Sequence, residues 1–385
     1  MKLTTRKGIA WLGMLCMALA CEARAENWWK APLLKATIPL ASGVGNGPHY
    51  WNMDESEQFL FATTGYNDGD WGYLFAVDDL RNAEGVSPVA PIASGESRAL
   101  APFSYGLRGG AISDDLGRVL SGNAYEGDGS WWGHASLPTD GSAWNRSSTN
   151  LPATVFGISN NVSIHVVWDS ADFSHDSAYL YSNDYMWDII PGESERIWKW
   201  EVGDLEQDGM GLASNAVYST QVLGIWSLSV YHIGGRDLIY YGGLDHAKSN
   251  IIVCAFDTVD ETEHVLLSLP NTLENNAYFG AWNDFEIVQN VKVSGIGSDA
   301  MHLHVADDVG NIRIYRLRQG GKQAGGLVAH LTPAMLAGVL GFPALGNCRV
   351  LEVTNDGATA FFSMHGQHSV FVLHSHPVAA MLILR

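Results

Sequence analysis

The chain is poor in cysteine and in positive charge, and it holds no long uninterrupted apolar run. Of its four cysteines, Cys16 and Cys21 fall in or beside an N-terminal apolar segment. Cys254 and Cys348 lie in two separate strand-like runs, so two unlinked buried thiols are expected rather than a disulfide pair. A chain of 385 residues is in any case long enough to bury a core without covalent staples. Lysine and arginine total 22 against 41 aspartates and glutamates, a formal charge of −19. So acidic a chain repels phosphate backbones, which argues against nucleic acid as a partner. Cationic ligands, divalent metals and neutral sugars fit the charge better, and solubility alone also accounts for it. Beyond the N-terminal segment no stretch approaches the ~18 apolar residues of a membrane-spanning helix. Also absent are a Gly-x-Ser-x-Gly elbow, a phosphate-cradling glycine loop and a Cys-x-x-Cys pair. Nucleophilic catalysis therefore has no local signature.

What is present begins with a targeting pattern. Lys2, Arg6 and Lys7 precede an apolar stretch over 8–20, and Ala23, Arg24 and Ala25 supply a small-x-small cleavage site. This predicts a signal peptide over 1–25, cleaved after Ala25, and a secreted or periplasmic domain over 26–385. A lipid anchor at Cys21 is the second reading, because Ala18, Leu19, Ala20 and Cys21 loosely resemble a lipobox. Removing 1–25 takes away four basic residues of 22 and one acidic residue of 41, leaving 18 against 40 and a charge of −22.

The clearest local signal is the stretch 303–317. Two alternating apolar runs flank Asp307, Asp308, Val309, Gly310 and Asn311, which is the chemistry of a β-hairpin. Related segments recur with centres near 75, 135, 199, 253, 314 and 371, about 60 residues apart. Each is preceded by a second short strand, an Asp- or Gly-rich turn, and a third apolar run. Strand, turn, strand, turn, strand and a longer variable connection make one antiparallel sheet, and such a sheet cannot cover both its faces alone. Radial packing of successive sheets solves that problem, so the expected fold is all-β, a single β-propeller of six blades. A seventh blade hidden in 203–222 is the second reading. One helix is expected, from Pro333 behind a Thr332 cap to Leu340 before Gly341. Ring closure is expected from pairing of 35–40 with 369–374.

Val305, Ala306 and Asp307, followed by Gly310, Asn311, Ile312, Arg313 and Ile314, resemble the core of an NHL repeat, with one extra residue between the Asp and the Gly. The resemblance covers about 15 residues in one repeat. It implies a propeller, and it carries over no catalytic residue.

Ligands of propellers usually enter at one mouth of the central channel, and the first strand of each repeat is expected to line it. That reading gives His49, Trp51, Arg108, His165 and Trp226 as ligand-binding candidates, with Asp284, Glu286 and Arg349 near the axis or a rim. Trp131 and Trp132 sit between Gly129 and Gly133, where exposed indoles in a connection would stack on sugar rings. Asp204, Glu206 and Asp208 alternate like the opening of a calcium loop and are the metal candidates. Their competing account is ordinary turn chemistry. His302 and His304 share one strand face, as do His374 and His376, a spacing that suits chelation and equally suits a half-buried strand. The expected function is a secreted binding module for an extracellular glycan or protein. The alternative is a metal-dependent lyase or hydrolase with its site at the channel mouth, using a divalent metal such as calcium.

Overall fold

In a computed structural model the described residues are 27–39, 50–63, 71–83, 89, 91–96, 109–114, 118–123, 130–136, 145–151, 170–183, 195–202, 216–247, 249–271, 288–341, 348–364 and 369–375. They form six four-stranded antiparallel sheets. Sheet 1 holds β2 (Tyr50–Met53), β3 (Phe59–Thr63), β4 (Trp71–Ala76) and β5 (Ala93–Glu96). Sheet 2 holds β6 (Gly109–Ile112), β7 (Arg118–Asn123), β8 (Ser130–Ser136) and β9 (Asn145–Leu151). Sheet 3 runs through β10 (Ala171–Phe173), β11 (Tyr179–Asn183), β12 (Arg196–Glu201) and β13 (Ala216–Ser219). Sheet 4 runs through β14 (Leu228–Ile233), β15 (Arg236–Leu244), β16 (Asn250–Asp257) and β17 (Thr262–Pro270). Sheet 5 comprises β18 (Val288–Ser294), β19 (His302–Asp307), β20 (Ile312–Arg318) and β21 (Gln323–Leu331). Sheet 6 joins β22 (Cys348–Val353), β23 (Thr359–Met364) and β24 (Ser369–Ser375) to β1 (Pro32–Pro39), the first described strand. Of the stretch 203–222, the second reading's place for a seventh blade, 203–215 lies outside the described residues and Ala216–Ser219 is β13 of sheet 3.

The fold is a β-propeller. The first strands of the sheets touch in a closed circle, β2 with β6, β6 with β10, β10 with β14, β14 with β18, β18 with β22, and β22 with β2. The core is correspondingly divided into layers between neighbouring sheets. Tyr240, Val253 and Leu238 of sheet 4 meet Val291, Leu303 and Leu317 of sheet 5. Ile312 and Ile314 of sheet 5 meet Phe362 and Phe371 of sheet 6, and Val350, Phe361 and Val372 of sheet 6 meet Trp51, Leu60 and Phe75 of sheet 1. Branched and aromatic residues dominate because they fill the space between two pleated faces.

One turn design recurs where the first strand hands over to the second. Asp54, Ser174 and Thr354 each accept a hydrogen bond at the side chain from a backbone N–H five residues on, from Phe59 (2.5 Å), Tyr179 (2.9 Å) and Thr359 (3.1 Å). Three residues after each of those caps stands a left-handed residue, Glu57, Ser177 and Gly357, with φ of 55°, 57° and 69°. Side-chain capping of the turn offsets the strain of positive φ at the two non-glycine positions.

Several sequence expectations change in detail. Asp172 lies in β10. Arg313 pairs through Nη1 with Asp307 Oδ2 at 2.7 Å across the 308–311 turn. His302 and His304 are core residues: His304 is fully buried, stacks on Trp28 and shares a 2.9 Å contact with Ser294 Oγ. Burial, then neighbouring His302, pushes the His304 imidazole down to about 3, so it stays neutral. Cys254 and Cys348 are free and buried, as expected. A short helix that the sequence reading missed, α1 (Val77–Arg81), follows β4, and the expected helix is α2 (Pro333–Leu340), capped by Thr332.

Candidate functional site

Side chains alternate along a strand, so neighbours on an innermost strand such as Val350 and Leu351 enter different core layers, and its polar positions are the ones that reach the axis. Trp51 goes into the layer between sheets 6 and 1, and its neighbour Asn52 faces a central cavity of about 150 Å³. Asp172 of β10, Ser229 of β14, Lys292 of β18 and Glu352 of β22 line the same cavity. Asn52, Asp172, Lys292 and Glu352 thus fall at steps of 120, 120 and 60 residues, the same register position of different sheets. Closer to the first-to-second-strand turns, Glu55, Glu57 and Asp114 line the mouth.

The floor is a network of buried polar groups. Asn52 Nδ2 donates to Asp172 Oδ1 (3.1 Å) and Asn52 Oδ1 accepts from the Ile112 N–H (2.9 Å), tying sheets 1, 2 and 3 together. Asp172 also accepts from the backbone of Val230 (2.8 Å) and Phe173 (2.9 Å). Lys292 Nζ makes an ion pair with Glu352 Oε1, and both side chains are almost entirely buried. Burial pushes Glu352 up to about 7 and Asp172 up to about 6, with the Lys292 ammonium pulling both in the opposite direction. Ser229 Oγ is buried and without a hydrogen-bond partner among the described residues.

The rim is held turn against turn. Glu55 N–H donates to Asp114 Oδ1 (2.7 Å), and His175 Nδ1 bonds Glu55 Oε2 across the end of sheet 2. His175 stacks on His232 with ring centroids 4.2 Å apart, and His232 bonds Asp237 at 2.9 Å. On the other side Arg81 of α1 pairs with Glu57, which also accepts from the Asn355 N–H. Asp114 differs from these residues. Burial pushes its carboxyl up to about 8, and the charges of Asp172, Glu55 and Asp54 push the same way. Glu55, Asp114 and His175 each offer a ligand atom within 4.8 Å of the others, a set suited to a divalent cation.

Few of the sequence candidates take part. Trp51 belongs to the core, and Trp226 is half-buried ahead of β14 without lining the cavity. Trp131 and Trp132 lie within β8 and not in a connection. His49, Arg108, His165, Asp204, Glu206, Asp208, Asp284 and Glu286 lie outside the described residues. The residues that do line the cavity were legible only as single polar letters among short apolar runs.

No family model and no curated protein matches the chain in sequence. The NHL-like reading of 305–314 is accordingly unsupported, although the propeller it implied is present. Among solved structures the chain is similar to a periplasmic gluconolactonase of Pseudomonas aeruginosa, at 13% identity and a TM-score of 0.53, covering 90% of this chain and 92% of that one. It is also similar to the hydrazine synthase of Kuenenia stuttgartiensis (12%, TM-score 0.47, covering 89% and 81%) and to a protein from Lactobacillus plantarum (12%, TM-score 0.49, covering 87% and 89%). Identity at this level shows fold alone. Among the described residues no helix is long and apolar enough to cross a membrane. The chain is a β-propeller whose innermost strands gather buried charged and polar groups around one central cavity.

Proposed function

We propose that the protein is an exported propeller that binds a small, hydroxyl-rich ligand of carbohydrate type at the mouth of its central channel. The observation that supports this reading is the cavity itself. Asn52, Asp172, Ser229, Lys292 and Glu352 converge on it from five sheets, and its size suits one small molecule better than a protein segment. A few convergent polar groups in a concave site are what orient a polyol, and a buried hydroxyl such as Ser229 Oγ lacks only a partner. Thermal melting against a panel of monosaccharides, sugar acids and sugar lactones tests the reading. At least one compound is expected to raise the melting temperature, and Ile296→Trp, which places an indole at the mouth, is expected to remove that rise. A panel without effect, or a rise that survives Ile296→Trp, sinks the proposal.

A second reading, a metal-dependent hydrolase, draws on Glu55, Asp114 and His175. A divalent cation held there would polarise a carbonyl or activate water at the channel mouth. The gluconolactonase among the similar propellers makes a sugar lactone the natural first substrate to try. Metal content after purification, and hydrolysis with and without chelator, separate this reading from simple binding.

A further inference from the structure

We propose that the channel takes its ligand by a cationic group, a protonated amine carried beside hydroxyls, with the ammonium seated at Asp114 and the hydroxyls reaching Ser229. The inference rests on the small-ligand reading above and adds the charge class of the ligand. Six carboxylates line the cavity, those of Asp54, Glu55, Glu57, Asp114, Asp172 and Glu352, against the single ammonium of Lys292. Most have internal compensation. Glu352 has Lys292, Glu57 has Arg81, Glu55 has His175, and Asp54 is bonded by Ser56 Oγ and the Phe59 N–H. Asp172 holds Asn52 and two backbone N–H groups. Asp114 receives only the Glu55 N–H among its described hydrogen bonds, and the carboxylates of Asp172, Glu55 and Asp54 all bear on it. The negative charge gathered around Asp114 attracts a cation, and a cation seated there displaces the proton that these surroundings hold on its carboxyl.

The second observation is independent of charge. Ser229 Oγ is 1% exposed, lines the cavity and has no hydrogen-bond partner among the described residues. It stands next to Val230, whose N–H binds Asp172, so the unpartnered hydroxyl and the carboxylate system adjoin one another. A buried hydroxyl and one uncompensated carboxyl lining the same cavity ask for a ligand that offers both an N–H donor and a hydroxyl. An amine carries three donors and matches carboxylate and serine acceptors together, whereas a bare metal ion leaves a cavity of about 150 Å³ largely unfilled. Lys292 on the floor sets the orientation, since it repels a second cation and leaves the mouth as the ammonium's place.

Titration calorimetry of the full chain with D-glucosamine, D-glucose and calcium chloride as probes tests this. Glucosamine is expected to bind at least about tenfold more tightly than glucose, a difference of about 1.4 kcal/mol. Asp114→Asn, which keeps an acceptor for the Glu55 N–H, is expected to erase that preference while leaving the melting temperature no lower. Ser229→Ala is expected to weaken both sugars. Equal affinity for the two sugars overturns the cationic inference and leaves the channel reading intact. Binding of neither sugar overturns both, and calcium binding that is lost in Asp114→Asn, with no preference for the amine, overturns the amine in favour of a metal.

Discussion

Lys292 and Glu352 are the least expected residues in the molecule, because an ammonium and a carboxylate rarely leave water together. Their pairing compensates a desolvation cost that neither meets alone. Replacing Lys292 by Met keeps the apolar stem and leaves Glu352 buried and unpaired, which is expected to cost about 3–5 kcal/mol at pH 8. Glu352 has a folded-state value raised by burial to about 7, so it takes up a proton as pH falls toward 5 and no longer needs the ammonium. The penalty of Lys292→Met should therefore shrink at pH 5, as read by urea unfolding at the two pH values. An equal penalty at both would show that Glu352 is charged throughout. The wild-type chain follows the same sign. Glu352 and Asp172, at about 7 and about 6, bind protons more tightly folded than unfolded, so their contribution to stability falls as pH rises from about 4 to about 7 and is flat above.

At the scale of the element, the strand-to-strand turns carry both architecture and site. The turn that begins at Thr354 uses glycine where its counterparts use Glu57 and Ser177, and the reason is local. A Cβ on Gly357 would lie 2.9 Å from Asn27 Oδ1 and 3.4 Å from the Trp29 ring, while the Gly357 carbonyl accepts from the Trp28 N–H at 2.9 Å. Left-handed backbone and a close approach coincide there. Gly357→Ala is expected to destabilise by about 1–2 kcal/mol and to loosen Trp28 and Trp29 from His304 and His302, visible as a change in tryptophan emission before global unfolding. Unchanged emission and unfolding midpoint would contradict this account of the N-terminal docking.

For the whole molecule, the decisive pairing is β1 with β24, which joins the two ends of the described chain into one sheet, as the 35–40 and 369–374 segments led us to expect. Without it sheet 6 would keep three strands and expose β24 as an edge. A chain lacking 27–39 is expected to melt at least about 5 °C lower and to associate through that edge on size-exclusion chromatography. A monomer with the wild-type melting temperature would mean that the circle of first strands suffices by itself. That circle also fixes the cavity, because each innermost strand contributes its polar letter only when both neighbours are in place.

The sequence by itself determined the repeat, the antiparallel order within each sheet, the α2 cap and the closing strand, because these rest on local periodicity and turn chemistry. Bounds for β3, β12 and β16 follow from the apolar runs alone. It did not determine the site. Asn52, Asp172, Lys292 and Glu352 are single polar letters about 60 or 120 residues apart, and nothing local distinguishes them from exposed strand positions. Trp51 and Asn52 show why: adjacent residues on one strand face opposite ways, and only the position of the neighbouring sheets decides which of them meets the core and which the channel. Tertiary structure made that decision through the ring, which turns a periodic set of isolated charges into one buried, mutually interacting site.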